Sequence, residues 1–416
     1  MHRQPKPGAH AALVYNQTNR PAFAARALYH VSSFQTKPAG SGSSIELPGL
    51  THVTRPILAQ INLAALRANL RVARERAAGA QLLAVVKANA YGHGLTRVLP
   101  ALADADGLAL LELDAAAALR DQHYGRRILL LEGFFTASEL PEIAARRIGV
   151  VVHHDEQVRM LETTTLARPL EVFIKVNTGM NRLGFAPERT TEIAERLSRA
   201  SSVAALRLMT HLARAEEDDG VQEQLQVFER ACRGLSYPRS IANSAGVVRF
   251  ATVGGDYVRP GIMLYGSSPF PYDTADMLGL KPVMTLRSEL VAIQDLRAND
   301  SVGYGGGYTA SRAHRIGVIA CGYADGYSRH APNGTPVLVC GRKVRTAGRV
   351  SMDLMTVDLS EAPEAVVGSP VVLWGEGLPV DDVAAAASTV GYELLCGVTA
   401  RVPFVETEVG AVDIEL

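Results

Sequence analysis

Cysteine is scarce in this 416-residue chain, which has only four, at positions 232, 321, 340 and 396. They are widely scattered, without the spacing of metal ligands and without the density of a disulfide framework. The sequence therefore predicts neither a metal site nor a disulfide-rich secreted domain, and it favours the reducing cytoplasm. We expect the four cysteines to be small core residues.

Net charge is also absent, because 42 Lys and Arg residues balance 42 Asp and Glu residues. Such a chain has no overall field that would attract nucleic acid or an anionic membrane. No stretch reaches the ~18 uninterrupted apolar residues of a membrane span. We therefore expect a small-molecule partner, and neither nucleic acid nor a membrane.

Acidic residues are nearly missing from residues 1–54, where Glu46 stands alone. This segment has scattered proline and the tract AGSGSS at 39–44, and it lacks the continuous apolar run of a secretory signal. The composition predicts disorder for residues 1–54. An organelle transit peptide and an upstream start codon chosen in error are alternative interpretations.

From residue 57 to residue 266, short apolar runs alternate with helical segments rich in Ala, Leu, Glu and Arg. Such alternation predicts parallel strands joined by crossover helices. Eight runs have strand character: LAVVK (83–87), GLALL (107–111), RILLLEG (127–133), GVVVH (149–153), EVFIKV (171–176), LRLMTHL (206–212), SIANS (240–244) and DYVRPG (256–261). Eight units predict an α/β fold with an N-terminal (β/α)8 barrel of the TIM type over 55–280, and an open doubly wound sheet is the alternative.

A change of pattern marks residues 281–416, where we predict a mainly-β domain. Alternating runs such as TPVLVCGRKVRTAG (335–348) and PVVLWGEG (370–377) are interrupted by Gly and Pro, and only DDVAAAAST (381–389) reads as a helix. Two glycine-tyrosine clusters, VGYGGGYTAS (302–311) and CGYADGYSRH (321–330), interrupt the domain. Neither fits a nucleotide-binding motif, because neither opens a helix after a strand in a βαβ unit.

Polar side chains stand at the ends of the predicted barrel strands, where barrel enzymes have their active sites. Seven lie at such an end or within a residue or two of it: Lys87, Glu132, His153, Lys175, His211, Ser244 and Arg259. A single lysine at a strand end would most often mark the exit of the chain into solvent. A ring of seven polar residues instead predicts an active site at the barrel mouth.

Lys87, in AVVKANAYGHG (84–94), suggests a specific chemistry. Desolvation and neighbouring cations lower the pKa of a lysine amine and make it a nucleophile that forms Schiff bases, in an aldolase or with pyridoxal phosphate. The segment VRPGIMLYG (258–266) favours pyridoxal phosphate. Gly261 lets the backbone approach a phosphate closely, N–H groups at a helix start would hold the dianion, and Arg259 could reach a pyridine nitrogen.

These segments, read together, resemble the alanine racemases. The resemblance runs from about residue 55 to the C-terminus, and its motifs occur in the order found in that family: AVVKANAYGHG, KVNTGMNRLGF, MTHLARAE, ANSAG, VRPGIMLYG, VGYGGGYTA, CGYADGYSR, GRVSMDLM and CGVTARVP. The resemblance implies pyridoxal 5'-phosphate as cofactor and L- and D-alanine as substrates. It also implies a homodimer in which the β-rich domain of one subunit completes the active site of the other.

The resemblance implies two catalytic residues on opposite faces of the substrate. Lys87 would hold the cofactor and act as the base on one face of Cα, and Tyr304 of the other subunit would be the base on the opposite face. A phenol is a weak base, and His211 matches the family histidine that hydrogen-bonds both the tyrosine and Arg259. Because arginine keeps its proton, Arg259 would leave the pyridine nitrogen unprotonated and suppress transamination.

The remaining assignments also follow from the resemblance. Beside Lys87, His211 and Arg259, they are Tyr91, Asn243, Ser244, Gly261 and Ile262 for the cofactor, Arg182 and Met352 for the substrate, and Lys175, Asp353 and Tyr323 as supporting residues. Lys175 matches a lysine that is carbamylated in some members, where the added negative charge positions Arg182. At one position the chain departs from the pattern: Ala400 stands where several members have a tyrosine that contacts the phosphate. This departure implies one contact fewer to the cofactor phosphate. It also implies more space in the site, which would admit substrates such as serine.

Three other functions remain open at this point. A pyridoxal-phosphate-binding protein without turnover could use the same barrel, but it would not need the second domain. The related barrel-plus-β amino-acid decarboxylases would be expected to have a carboxylate in place of Arg259. A broad-specificity amino-acid racemase also stays open, because the sequence does not reveal which residues form the walls of the substrate pocket. An alanine racemase would supply D-alanine for peptidoglycan or remove D-alanine as a carbon source.

Overall fold

The computed structural model describes residues 55–217, 220–250 and 255–408. The disorder predicted for residues 1–54 lies outside these ranges. Within these ranges, no helix is both long enough and apolar enough to cross a membrane.

Eight parallel strands form a closed barrel, as predicted, so the open doubly wound sheet is wrong. The first and last strands close it, with Gln81 opposite Tyr257 and Leu82 opposite Val258. The barrel strands are Gln81–Val85, Gly107–Leu110, Arg127–Leu130, Gly149–Val152, Leu170–Lys175, Val203–Met209, Arg239–Ser240 and Tyr257–Val258.

Helices and helical turns connect the strands and cover the barrel. Thr190–Arg199 is typical: Ile193, Ala194 and Leu197 are buried on one face, and charged side chains occupy the other. The helices before and within the barrel are Leu63–Arg76, Lys87–Tyr91, Leu95–Val98, Leu113–Asp121, Leu140–Ala145, Asp155–Thr163, Thr190–Arg199, Gln222–Ala231 and Ser244–Arg249. The last barrel strand is followed by the 3-10 turn Ile262–Tyr265.

An eight-stranded sheet makes up most of the second domain, which is mainly β as predicted. Its longest strand, Met284–Leu296, pairs antiparallel with three others. The strands of this sheet are Ile57–Asn62, Met284–Leu296, His314–Ile319, Pro336–Val339, Arg342–Thr346, Met355–Asp358, Pro370–Trp374 and Phe404–Thr407. A separate pair, Ser301–Val302 and Tyr308–Thr309, flanks Tyr304.

Strand Ile57–Asn62 lies in this second sheet, although the sequence pattern placed it in the barrel segment. It pairs antiparallel with Met284–Leu296 and parallel with Phe404–Thr407. Its residues are almost fully buried. A strand that is buried on both faces is a continuous apolar run in either sheet, so its sequence does not show which of the two sheets it joins. The two predicted segments, 55–280 and 281–416, therefore share one sheet, and their division at residue 280 stays a prediction.

Two helices lie near the C-terminal end of this domain. Val380–Ala386 overlaps the segment predicted to be helical, 381–389, whereas Gly391–Gly397 was not expected. Glycine at both ends weakens the local helix signal of the second one. Tertiary packing stabilises it instead, because Leu394 and Leu395 are buried.

Candidate active site

All seven polar residues that were predicted at the strand ends line one cavity of about 600 Å³ at the barrel mouth. The lining also includes five residues assigned by resemblance: Tyr91, Arg182, Asn243, Gly261 and Ile262. Four assigned residues do not line it: Tyr304, Tyr323, Met352 and Asp353. The barrel of one chain thus gathers every predicted residue except those of the second domain.

Lys87 lies two residues beyond the first barrel strand, and an unusual backbone follows it. Residues Ala88 to Tyr91 all have positive φ, between 51° and 57°, so they form a left-handed helical turn. Each non-glycine residue in this conformation costs roughly 1–2 kcal/mol, and such strain clusters at functional sites. The Ala90 N–H donates to Val86 O at 2.9 Å and helps hold the turn. Lys87 and Tyr91, at the two ends of this turn, both line the cavity.

Tyr91 packs tightly against the last helical turn of the barrel. Its ring stacks on that of Tyr265 with centroids 4.7 Å apart, and Tyr265 Oη donates to Val85 O at 3.0 Å. The Tyr91 hydroxyl meets the backbone at Gly261, where an added Cβ would lie only 2.4 Å from Tyr91 Oη. A side chain at position 261 would therefore displace Tyr91 from this contact.

Ser244 approaches the same backbone from the other side. Its Oγ accepts a hydrogen bond from the Gly261 N–H at 2.8 Å. Asn243 fixes the start of this helix, because its Oδ1 accepts from the Gly246 N–H at 3.0 Å and its Nδ2 donates to Leu212 O at 3.1 Å. The hydroxyls of Tyr91 and Ser244 thus meet at the backbone turn of Gly261. Such a set of polar groups is typical of a site that binds an anion.

Arg259 is almost fully buried, with 4% of its surface exposed. Its guanidinium donates to Ser240 Oγ, to Thr210 O at 2.7 Å and to Ile241 O at 3.3 Å. In the part of the chain that the structure describes, no carboxylate pairs with it, and burial lowers the pKa of Arg259 to about 10. A buried cation with only neutral acceptors is costly to fold and is typical of functional sites.

Lys175 is a second buried cation in the cavity wall. Burial, followed by the positive charges of Arg259 and Arg182, lowers the pKa of its amine to about 8, although Glu132 opposes the shift. A substantial fraction of the Lys175 amine is therefore neutral near pH 8.

His211 is neutral at pH 7, since burial and the charges of Arg259 and Lys175 lower the pKa of its ring well below 6.5. The resemblance implied a hydrogen bond between His211 and Arg259. Among the described residues, the guanidinium instead donates to the acceptors around Ser240 and Thr210. His211 lies close enough to Arg259 to feel its charge but is not its hydrogen-bond partner here.

Cations outnumber acids in the lining. Lys87, Lys175, Arg182 and Arg259 face two carboxylates, those of Glu132 and Glu216. A cavity lined with excess positive charge attracts anionic ligands, such as those carrying a phosphate or a carboxylate.

The four assigned residues of the second domain lie on neighbouring loops. Tyr304, Met352 and Tyr323 are 72%, 53% and 37% exposed. The Tyr323 N–H donates to Ser351 O at 3.0 Å, which joins the loop of Tyr323 to that of Met352. All three side chains are thus exposed, and none of them lines the cavity of its own chain.

An ion-pair cluster around the buried Asp325 holds the loop that carries Asp353. The Asp325 carboxylate is fully buried and accepts from Arg55 Nη1 at 2.6 Å and from Arg401 Nε at 2.7 Å. Arg401 also donates to Asp353 Oδ1 at 2.6 Å. Asp353 thus anchors its loop rather than contacting the cavity.

Several lining residues had no signal in the sequence. They are Phe135, Glu216, Pro269 and Tyr392. Tyr392 comes from the helix Gly391–Gly397 of the second domain, more than 120 residues beyond the last barrel strand. Only the tertiary fold reveals that Tyr392 lies at the cavity. Ala400, which the resemblance singled out, does not line the cavity.

Comparison with known proteins gives matches along both domains. The family model for the alanine racemase N-terminal domain matches residues 61–269, and that for the alanine racemase C-terminal domain matches residues 283–406. The chain is 53% identical to the alanine racemase of Nitrosospira multiformis, over 84% of this chain and 99% of that protein. It is 50% identical to the catabolic alanine racemase of Klebsiella aerogenes, over 85% of this chain and 99% of that protein.

Solved structures give similar matches. The biosynthetic alanine racemase of Pseudomonas aeruginosa superposes with a TM-score of 0.83 at 47% identity, covering 85% of this chain and all of that one. The alanine racemase of Acinetobacter baumannii superposes with a TM-score of 0.80 at 36% identity, with the same coverage.

Proposed function

The chain belongs to the alanine racemase family, and from this premise we propose that it is a pyridoxal-phosphate-dependent enzyme that interconverts L-alanine and D-alanine. The observation that carries the proposal is the joint placement of Lys87 and Arg259 in one cavity. The lysine offers a nucleophilic amine, and the arginine is a buried cation to which the described residues supply no carboxylate.

The residues of the cavity fit pyridoxal phosphate. The hydroxyls of Tyr91 and Ser244 both lie against the backbone at Gly261, where a Cβ would collide with Tyr91 Oη, and these are groups that would hold a phosphate. Arg259 would face the pyridine nitrogen, and Lys87 would hold the aldehyde carbon. When bound, the cofactor supplies a carbonyl group that condenses with amines and a ring that delocalises negative charge from Cα.

Lys87 and Tyr304 would move the protons. Racemisation removes a proton from one face of Cα and returns one to the other, so a base is needed on each face. The Lys87 amine would serve one face. Tyr304 does not line the cavity of its own chain and is 72% exposed, which supports its delivery to the cavity of a second copy. We therefore propose a homodimer in which Tyr323 and Met352 accompany Tyr304 into that site.

Arg259 would direct the reaction towards racemisation. Its pKa of about 10 leaves the guanidinium charged at neutral pH, so Arg259 would donate a hydrogen bond to the pyridine nitrogen and would not give up its own proton. Arg259 would thereby keep the pyridine nitrogen unprotonated and favour the return of the proton to Cα over the route that releases pyruvate.

Arg182 would bind the substrate carboxylate at the cavity mouth. Lys175, whose pKa is about 8, supplies enough neutral amine to react with carbon dioxide. The resulting carbamate would carry a negative charge towards Arg182 and hold it in place.

We place this reaction in the cytoplasm, which the four free cysteines support. There the enzyme would supply D-alanine for peptidoglycan or consume D-alanine as a carbon source. Cys232 and Cys321 are buried as expected, but the expectation of a core position is wrong for Cys340 and Cys396, which are exposed.

The test is an incubation of the full chain and pyridoxal phosphate with single enantiomers of alanine, serine and other amino acids, followed by chiral separation. We expect each enantiomer of alanine to be converted into the same mixture of L- and D-alanine, and faster than any other amino acid of the panel is converted. Lys87→Ala should lose both turnover and the visible absorbance of the covalently held cofactor. Lys343→Ala, on the exposed Lys343–Asp382 pair, is the matched control.

Other outcomes would support the alternatives. Cofactor binding without conversion would support a binding protein. Release of carbon dioxide would support a decarboxylase, and equal rates across the panel would support a broad-specificity racemase.

A further inference from the structure

Gln224 is a buried polar residue that the proposed reaction does not use. It belongs to the helix Gln222–Ala231, and only 7% of its surface is exposed. It does not line the cavity. Because a buried amide is costly unless its polar atoms have partners, the partners of Gln224 indicate what this side chain holds in place.

The amide of Gln224 binds the backbone that follows the sixth barrel strand, Val203–Met209. Its Oε1 accepts from the Ala213 N–H at 2.7 Å, and its Nε2 donates to His211 O at 3.2 Å. These two bonds also fix which end of the amide points where, since the N–H only donates and the carbonyl only accepts. Gln224 therefore anchors the backbone of His211, a residue that lines the cavity.

A further bond from Gln224 begins a chain of buried hydroxyls. Its Nε2 also donates to Thr178 Oγ1 at 3.0 Å. Thr178 Oγ1 lies 2.7 Å from Thr210 Oγ1, which in turn donates to Val176 O at 3.1 Å. Because the amide at one end can only donate and the carbonyl at the other can only accept, each hydroxyl donates to the next group in that order. The chain thus links Gln224 to Thr210 in one direction.

Thr210 connects this chain to Arg259. The Thr210 carbonyl accepts from Arg259 Nη2 at 2.7 Å. The other acceptors of the guanidinium among the described residues are Ser240 Oγ and Ile241 O, at the next strand end. Thr210 O is therefore the acceptor of Arg259 whose position depends on Gln224.

We propose that Gln224 is a positioning residue that holds Thr210, and through it the guanidinium of Arg259, in the orientation that meets the pyridine nitrogen. Without the amide, the hydroxyls of Thr178 and Thr210 lose the donor that orders them, and the neighbouring backbone loses two bonds. Arg259 then shifts and no longer keeps the pyridine nitrogen unprotonated. This inference rests on the proposed function, since it requires a cofactor whose pyridine nitrogen faces Arg259.

The experiment uses the full chain loaded with pyridoxal phosphate and has two readouts. The first is the pyruvate released per racemisation event with L-alanine as substrate. Pyruvate forms when the amino group of alanine passes to the cofactor, a route that a protonated pyridine nitrogen favours. A variant that merely folds less well loses both reactions in proportion, so this ratio does not depend on the amount of folded enzyme. The second readout is the nitrogen-15 NMR signal of ring-labelled cofactor, which reports protonation of the pyridine nitrogen without turnover.

Gln224→Met keeps most of the side-chain volume and removes the amide. We expect the pyruvate ratio to rise by about three- to tenfold, the factor that corresponds to the loss of one buried hydrogen bond. The nitrogen-15 signal should move towards that of Arg259→Glu. Gln226→Met, at an exposed position of the same helix, is the matched control and should change neither readout.

Thr178→Val interrupts the chain of hydroxyls at its next link and should raise the ratio in the same direction. It decides the question if Gln224→Met does not fold. Because Gln224 acts through Arg259, adding Gln224→Met to Arg259→Glu should raise the ratio no further.

An unchanged ratio and an unchanged nitrogen-15 signal in Gln224→Met would overturn the inference. A further rise of the ratio on top of Arg259→Glu would also overturn it, because Gln224 would then act by another route. The proposed function fails in a different way: the wild type with pyridoxal phosphate would not racemise alanine at all.

Discussion

Tyr91 and Gly261 lie so close together that a methyl group on Gly261 would stand 2.4 Å from Tyr91 Oη and 3.1 Å from its Cζ. The tyrosine cannot retreat easily, because its ring stacks on Tyr265 and it belongs to the left-handed turn after Lys87. This contact joins the first and last strand ends of the barrel at the point where we place the cofactor phosphate.

Gly261→Ala should therefore disturb cofactor binding more than folding. Overpacking at such a contact costs roughly 1–3 kcal/mol, and most of it should appear as a five- to hundredfold weaker affinity for pyridoxal phosphate. Absorbance titration measures the affinity, and thermal unfolding without cofactor measures the fold. Gly125→Ala is the control, because nothing lies within 4 Å of a Cβ there. An unchanged affinity in Gly261→Ala would mean that the phosphate binds elsewhere.

Arg259→Glu should raise transamination relative to racemisation, because a carboxylate lets the ring nitrogen hold its proton. Pyruvate formed per racemisation event, measured with a coupled NADH assay, should increase by at least about tenfold. Arg259→Lys keeps a cation at the site and should release no more pyruvate than the wild type. If Arg259→Glu binds the cofactor yet yields neither pyruvate nor pyridoxamine phosphate, the role assigned to Arg259 is wrong.

Lys175 should form a carbamate in a pH-dependent way. Only the neutral amine reacts with carbon dioxide, and the pKa of about 8 means that the neutral fraction falls about tenfold for each pH unit below that value. The carbon-13 NMR signal of the carbamate should thus grow from pH 6 to pH 8 under labelled carbon dioxide. Lys175→Arg should abolish it, whereas Lys281→Arg, outside the cavity, should not. A signal that persists in Lys175→Arg belongs to another amine.

Lys87→Ala and Tyr304→Phe should complement each other. Each homodimer should be nearly inactive, but their heterodimer has both substitutions in one site and a native lysine and tyrosine in the other. Random pairing makes half of the dimers heterodimers with one active site of two, so a co-refolded equal mixture should recover up to about one quarter of wild-type activity. A mixture that stays inactive, although mass spectrometry shows heterodimers, would indicate that each site is built within one chain.

The barrel and most of the cavity lining could be predicted from the sequence. Buried parallel strands leave continuous apolar runs, and the residue after each run lies at the same end of the barrel by topology alone. Lys87, Lys175, His211 and Arg259 could thus be assigned to one site without any knowledge of side-chain contacts. The residue types also define the available chemistry, since an amine and a guanidinium keep their character in any fold.

Other properties depended on contacts between segments that are distant in sequence. Strand Ile57–Asn62 pairs with Met284–Leu296 and Phe404–Thr407 in the second sheet. Both partners lie more than 200 residues away in the sequence, so no local pattern predicts this pairing. No local propensity predicts four left-handed residues from Ala88 to Tyr91, which surrounding packing imposes against an intrinsic cost. Tyr392 reaches the cavity through a helix with a weak local signal.

The electrostatic character of the site was likewise decided by the tertiary structure. A sequence shows that Lys175 and Arg259 are cations, but not that both are buried or that the nearest acceptors of Arg259 are neutral. The pKa of Lys175 falls to about 8 because folding removes water from its amine and brings Arg259 and Arg182 close to it. The residues therefore determined which reactions are possible, and the fold determined the charge states in which those residues meet, because desolvation and Coulomb energy depend on distances that only folding sets.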